Sequence, residues 1–200
     1  MKKPFEKKYL IFFAIFSIAI LFGYIYFTKS AYWRISVKDR EEIISTIKSS
    51  QGLPERFYEL YNIIHPQSLN KGQFYYLVKQ MDTDSECPCR LAGYNMSLIY
   101  NIHLISFTFW LENEVSQKEC LNYYASQTYM LYNLVGVFQA SEYYFEKEIN
   151  NLTDTEYIEL ILIMENPSFY NKKRNTSELK SKTDAIINEM NLMRIKHRNY

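Results

Sequence analysis

Nineteen consecutive residues without a charge, Tyr9 to Phe27 (YLIFFAIFSIAILFGYIYF), constrain this chain more than any other stretch of it. At about 1.5 Å of rise per helical residue the run reaches roughly 30 Å, the hydrocarbon thickness of a bilayer. It therefore predicts a transmembrane helix over 9–27, following an N-terminal segment 1–8. Tyr24, Tyr26, Tyr32 and Trp33 form an aromatic belt at the far end. Lys2, Lys3, Lys7 and Lys8 against Glu6 mark the near flank as cytoplasmic. A cleaved signal peptide would have a shorter apolar core followed by a small-residue cleavage site. FTKSAYW does not supply one, so the segment reads as an uncleaved single-pass anchor in contact with membrane lipid.

Everything beyond the anchor is then outside the cytoplasm: a juxtamembrane helical segment over 28–50 and one domain over 51–200. Five Gly and five Pro among 200 residues, with 19 Tyr and 13 Phe, weigh against a turn-rich β-sandwich and against disorder. An all-α domain is expected. Ile43, Ile44 and Ile47 form a stripe over 39–48, and Leu60, Tyr61 and Ile64 another over 57–64. The apolar run from Leu98 to Leu111 predicts a buried central helix, taken as one element over roughly 98–125, with His103 as a satisfied core residue. Thr153 with Glu156 three residues on forms a capping box that opens a helix over 154–165, closed before Pro167. A last helix starts at Thr176 or Ser177, with Leu179, Ile186, Ile187 and Met190 inward.

The formal charge is +1, from 23 Lys and Arg against 22 Asp and Glu. That total hides a gradient. Residues 35–170 hold nine basic and eighteen acidic side chains, whereas 171–200 hold eight and three. The basic C-terminal segment suits phosphate or anionic headgroups, or a solvated helix face. Without aromatic interleaving it does not point to nucleic acid.

From Leu111 to Met190 the chain resembles the C-terminal half of the glycosyltransferase family 51 domain, the peptidoglycan glycosyltransferase of penicillin-binding proteins. The family stretch L-E-r-r-y-S-k-d-e-I-L-E-x-Y-L-N meets LENEVSQKECLNYYAS, agreeing at Leu111, Glu112, Ser116, Glu119, Leu121 and Tyr124. Its G-a-y-G-v-e-a-A-a-x-Y-F-g-k meets NLVGVFQASEYYFEK at Gly136, Val137, Ala140, Tyr144, Phe145 and Lys147. Leu152, Thr153, Glu156 and Leu160 match the next segment, P-S-x-Y-N stands intact at Pro167, Ser168, Tyr170 and Asn171, and Lys182, Ile186, Ile187 and Met190 match the closing one. The resemblance implies a lysozyme-like, all-α lobe beside the bacterial inner membrane, on its outer face. It also implies a lipid-linked peptidoglycan precursor or another cell-wall synthesis protein as partner, with no cofactor and no metal.

The family reaction needs one Glu as general base, a second near the donor pyrophosphate, and cationic and amide side chains around the phosphates. The first Glu lies in E-D-x-x-F-x-x-H-x-G, whose nearest echo is Glu59 with Ile63 and His65, one residue short in spacing and lacking the Asp. The family R-K-x-x-E falls on Tyr100, Asn101 and Leu104. Its G-S-T-I-T-Q-Q-L-x-K falls on KGQFYYLVKQ, with Tyr75 and Tyr76 in place of the amides and Lys79 kept. Asn122 replaces the Glu of I-L-E-x-Y-L-N. Glu59 and Glu112 are thus the weak catalytic candidates, and Lys79, Lys172, Arg174 and Lys182 the phosphate-binding ones.

Other chemistry is thin. Cys87, Cys89, Cys120 and His103 offer zinc-type atoms, but a structural zinc pair has two to four intervening residues and CPC has one. In an exported domain a disulfide from Cys87 or Cys89 to Cys120 is expected instead, tying an insertion over 82–97 to the central helices; a reduced, buried Cys120 is the alternative. Glu142, Glu146 and Glu148 read as a solvated acidic run, the first two sharing a helix face. Two functions remain: a non-catalytic relative, a pseudoenzyme that binds a cell-wall precursor or envelope partner, and an active monofunctional peptidoglycan glycosyltransferase.

Overall fold

The computed structural model describes residues 5–79 and 87–198, with side chains over 9–78 and 87–192. Ten α-helices account for most of them: α1 (Phe5–Arg34), α2 (Val37–Lys48), α3 (Glu55–Ile64), α4 (Gln73–Lys79), α5 (Pro88–Ile99), α6 (Leu104–Glu114), α7 (Gln117–Gln127), α8 (Gly136–Phe145), α9 (Asp154–Glu165) and α10 (Thr176–Arg198). No strand occurs among the described residues; the isolated bridge Tyr129–Val135 is the β-type pairing there. The protein is all-α.

α1 carries the charge-free run and continues beyond it, long and apolar enough to cross a bilayer over Tyr9–Arg34, with side chains exposed almost throughout its first four turns past Tyr9. Its last turns dock on α6 through small residues. Ser30 Oγ and Ser106 Oγ share a hydrogen bond of 2.7 Å, the Ala31 amide donates to Ser106 Oγ at 3.0 Å, and Ala31 is fully buried. Small side chains at both positions let the two backbones approach closely enough for these bonds.

Two apolar clusters carry the fold. One is built from α1, α2, α5 and α6 with the start of α7. The other surrounds α9, whose Tyr157, Ile158 and Leu160 to Met164 are all buried. A helix apolar on every side has no solvent face to keep polar, and it becomes the axis on which α3, α8 and α10 pack. Its start is the Thr153–Glu156 capping box, with both reciprocal bonds made, and α10 turns Leu179, Ile186 and Met190 inward as its pattern requires.

The single helix expected over 98–125 is three. α5 ends at Ile99, Asn101 takes the left-handed region at φ 49°, and α6 begins at Leu104. A second break falls at Val115, where Ser116 accepts from the Glu119 amide and Glu119 returns a bond to the Ser116 amide. This capping box outweighs the apolar continuity of the run. His103 is no core residue: it is exposed, caps α6 by accepting from the Ile105 amide, and meets the Phe27 ring of α1 edge-on. Glu146 ends α8 in the left-handed region at φ 57°, so it shares no helix face with Glu142.

Cys89 of α5 is bonded to Cys120 of α7, while Cys87 is a buried free thiol. Beyond α7 the chain runs through Leu131, Tyr132 and Asn133, all left-handed, before Gly136 opens α8 at φ 81°. A Cβ at Gly136 would lie 2.6 Å from the Ser126 carbonyl oxygen. Gly136→Ala should therefore cost about 1–3 kcal/mol through backbone strain alone, with the clash in addition. Thermal unfolding of detergent-solubilised protein measures this, and an unchanged Tm would contradict it.

Candidate functional site

The chemically distinctive place in the fold is the carboxylate of Glu112, near the end of α6. Its Oε1 accepts from the Gln73 amide at 2.7 Å, from Gln117 Nε2 at 2.8 Å and from the Cys87 thiol at 3.4 Å. Gln117 in turn accepts from the Cys89 amide at 3.0 Å. One side chain therefore joins the first turn of α4, the start of α5, α6 and the first turn of α7. The approach of α4 depends on Gly72, where a Cβ would come within 2.8 Å of Glu112 Oε2. Burial raises the Glu112 carboxyl above its ordinary value of 4.5, and the three donors pull it only part of the way back. Burial and the neighbouring Glu112 charge push the Cys87 thiol far up, which keeps it protonated and able to donate.

Glu59 stands elsewhere. It is exposed on α3 and forms an ion pair with Arg56, which also holds Asp154 at the start of α9. His65 pairs with Glu165 and packs on the Tyr61 ring with centroids 4.8 Å apart. Glu59 and Glu112 have no bonding partner in common, so the two carboxylates do not form a dyad.

Where the family pattern has two amides, Tyr76 is buried, with its hydroxyl pushed up to about 12 by that burial, and Tyr75 meets it edge-on. The side chain of Lys79 lies outside the described residues. Where the pattern has two cations and the second carboxylate, the chain forms the α5–α6 turn of Tyr100, Asn101 and Leu104. The cation at this turn is Arg34 of α1, which donates to the Asn101 carbonyl at 2.9 Å. Asn122 accepts from the Tyr58 hydroxyl and the Leu53 amide, fixing the approach to α3.

Lys172, Lys173 and Arg174 follow α9 as a basic edge laid over aromatic rings. Their cationic groups lie 4.3, 4.0 and 5.6 Å from the ring centroids of Phe145, Tyr143 and Tyr132. Lys172 is also paired with Glu159. The edge is shaped by buried Asn171, whose Oδ1 accepts from the Lys173 and Arg174 amides at 2.9 and 3.1 Å. Lys182 is exposed on α10. None of these cations is a partner of Glu112. Gln73 and Gln117, which surround it together with Cys87, carry no periodic or motif signal. Gln73 and Cys87 are 39 and 25 residues away along the chain.

Residues 95–191 match the model of the family described as Transglycosylase. Penicillin-binding protein 1F of Bacillus subtilis is 35% identical over 81 residues, which are 40% of this chain and 11% of that protein. The proteins named biosynthetic peptidoglycan transglycosylase from Mannheimia succiniciproducens and Acinetobacter baumannii are 33% and 30% identical over 87 and 88 residues. Each alignment covers 44% of this chain, and 36% and 39% of the respective relative. The matched stretch thus spans about a tenth of the penicillin-binding protein and well under half of either transglycosylase. Residues 95–191 are similar to the transglycosylase family, and the all-α architecture they build agrees with the lysozyme-like, all-α fold that this resemblance implies. The match contains Glu112 and the α5–α6 turn, and leaves Glu59 and the segment 71–80 outside it.

The raised carboxyl of Glu112 has a consequence for stability. The folded state favours its protonated form, so its contribution is fully present below the ordinary carboxylate value and is lost as pH rises through the raised one. Glu112→Gln removes that titration. Between about pH 4 and pH 7 the Tm difference should move in favour of the variant; a difference independent of pH would contradict the assignment.

Proposed function

We propose that this protein is a membrane-anchored, non-catalytic relative of the peptidoglycan glycosyltransferases that binds a cell-wall precursor or an envelope partner outside the cytoplasmic membrane. The observation that carries the reading is the α5–α6 turn. In register with the family pattern, Leu104 stands for the second carboxylate and Tyr100 and Asn101 for the two cations. The remaining acidic candidates are engaged in other work: Glu59 in an exposed ion pair, Glu112 in three hydrogen bonds that hold helix ends. The anchor follows from α1, and the Lys-rich flank orients its N-terminus inward. The relatives named as peptidoglycan transglycosylases support the cell-wall setting. Arg174 and Lys182 are available for a precursor's phosphates, whereas Lys172 is already paired with Glu159.

One feature favours the alternative of an active monofunctional enzyme that polymerises lipid-linked disaccharide. A half-buried carboxyl with a raised pKa has the property a general acid needs. The two readings differ by a large factor. Losing an acid or base costs about 10²- to 10⁴-fold and losing an electrostatic stabiliser on the order of 10²- to 10³-fold. Full-length protein in detergent, given the lipid-linked disaccharide, should form no glycan polymer while still binding it, and Glu59→Gln should change neither result. Polymer formation abolished by Glu112→Gln would establish the enzyme instead.

A further inference from the structure

A cleft of about 380 Å³ opens between α5 and the C-terminal end of α7, away from both Glu112 and the basic edge. That volume is in the range of small-molecule sites. Four tyrosines, Tyr94, Tyr123, Tyr124 and Tyr129, are among its lining residues, together with Asn95 and Gln127. No Lys, Arg, Asp or Glu lines it among the described residues. Tyr94 and Tyr129 keep 56% and 52% of their surface exposed, so packing does not account for them.

We propose that this cleft binds an uncharged oligosaccharide, with sugar faces on the tyrosine rings and sugar hydroxyl or acetamido groups on the two amides. Pyranose rings present an apolar C–H face and a rim of donors and acceptors, and this lining offers the complement of both. A phosphate would find no cation here. A lipid tail would bury the Asn95 amide and the Gln127 carbonyl oxygen without partners, which is costly; the Gln127 Nε2 group donates to Ser126 Oγ at 3.4 Å.

The walls are also fixed in advance. The Cys89–Cys120 bond ties α5 to α7, the two helices that form the sides. Tyr129 is held by its bridge to Val135 across three consecutive left-handed residues, and the Tyr144 hydroxyl donates to the adjacent Met130 carbonyl at 3.0 Å. Strained backbone retained next to a cleft is a recurrent mark of binding sites, and a rigid site loses less freedom when it is occupied. The site would select glycan over a pyrophosphate-bearing precursor, so it goes beyond the function proposed above and does not depend on it.

Chitotetraose titrated into the full-length, detergent-solubilised protein by calorimetry tests the proposal. Parent protein should bind it, and sodium pyrophosphate in excess should not compete. Tyr94→Ala and Gln127→Ala should each weaken binding on the order of tenfold, about 1.4 kcal/mol, whereas Tyr94→Phe, which keeps the ring, should bind as the parent does. Both positions are exposed, so the variants should keep the parental Tm; Tyr129→Ala serves as a second probe of the opposite wall. Absence of binding to the parent, binding indifferent to all three alanine substitutions, or displacement by pyrophosphate would each overturn the assignment. Failure here leaves the polymerisation assay of the preceding section unaffected.

Discussion

A carboxylate that no water fully solvates must be satisfied by the protein, and in this fold Glu112 is satisfied by the ends of three other helices. The three donors offset only part of the cost of burying the charge, so the node fixes position: α4, α5 and α7 meet α6 where their ends can reach the carboxylate. Gly72 has no side chain because the carboxylate passes where one would begin. Cys87 stays protonated because burial and the adjacent Glu112 charge disfavour its thiolate, and its thiol donates to the same oxygen. The disulfide two residues later then fixes α5 to α7, and the tyrosine-lined cleft lies between those two helices. An acid this committed holds geometry; releasing it for proton transfer would loosen the scaffold around it.

The residues that match the transglycosylase family have structural work that is visible in the fold. Gly136 permits a left-handed opening of α8 against the Ser126 carbonyl. Ala140 is fully buried against α9, and Tyr144 ties α8 to the strained turn before it. Lys147 pairs with Glu156, which also closes the capping box of α9. Asn171 shapes the turn that carries the basic edge. These matched positions are scaffold positions, and Tyr100, Asn101, Leu104 and Asn122 depart from the family pattern at places where it carries charge.

The helices α9 and α10 could be read directly, because their start is written in Thr153, Glu156 and Thr176 and their apolar patterns are local. The Ser116–Glu119 box is written just as plainly, yet the apolar run from Leu98 to Leu111 suggests one long helix and masks it. The break at Asn101 depends on a left-handed residue held by Arg34 from α1, 67 residues away in sequence, and no local pattern announces that contact. The same holds for Glu112. Its match to the family marks it, but its donors at Gln73 and Cys87 are brought to it only by folding. His103 shows a related effect: an apolar neighbourhood in sequence becomes an exposed helix end in space.

The central claim is that Glu112 holds the fold together. Hydrogen exchange of the amides from Gln73 to Val78, compared between parent and Glu112→Ala, tests it most directly. The account predicts that protection of these α4 amides falls by more than about tenfold, a local opening, while the amides of α9 stay protected as in the parent. Equal protection of α4 in both proteins would contradict it.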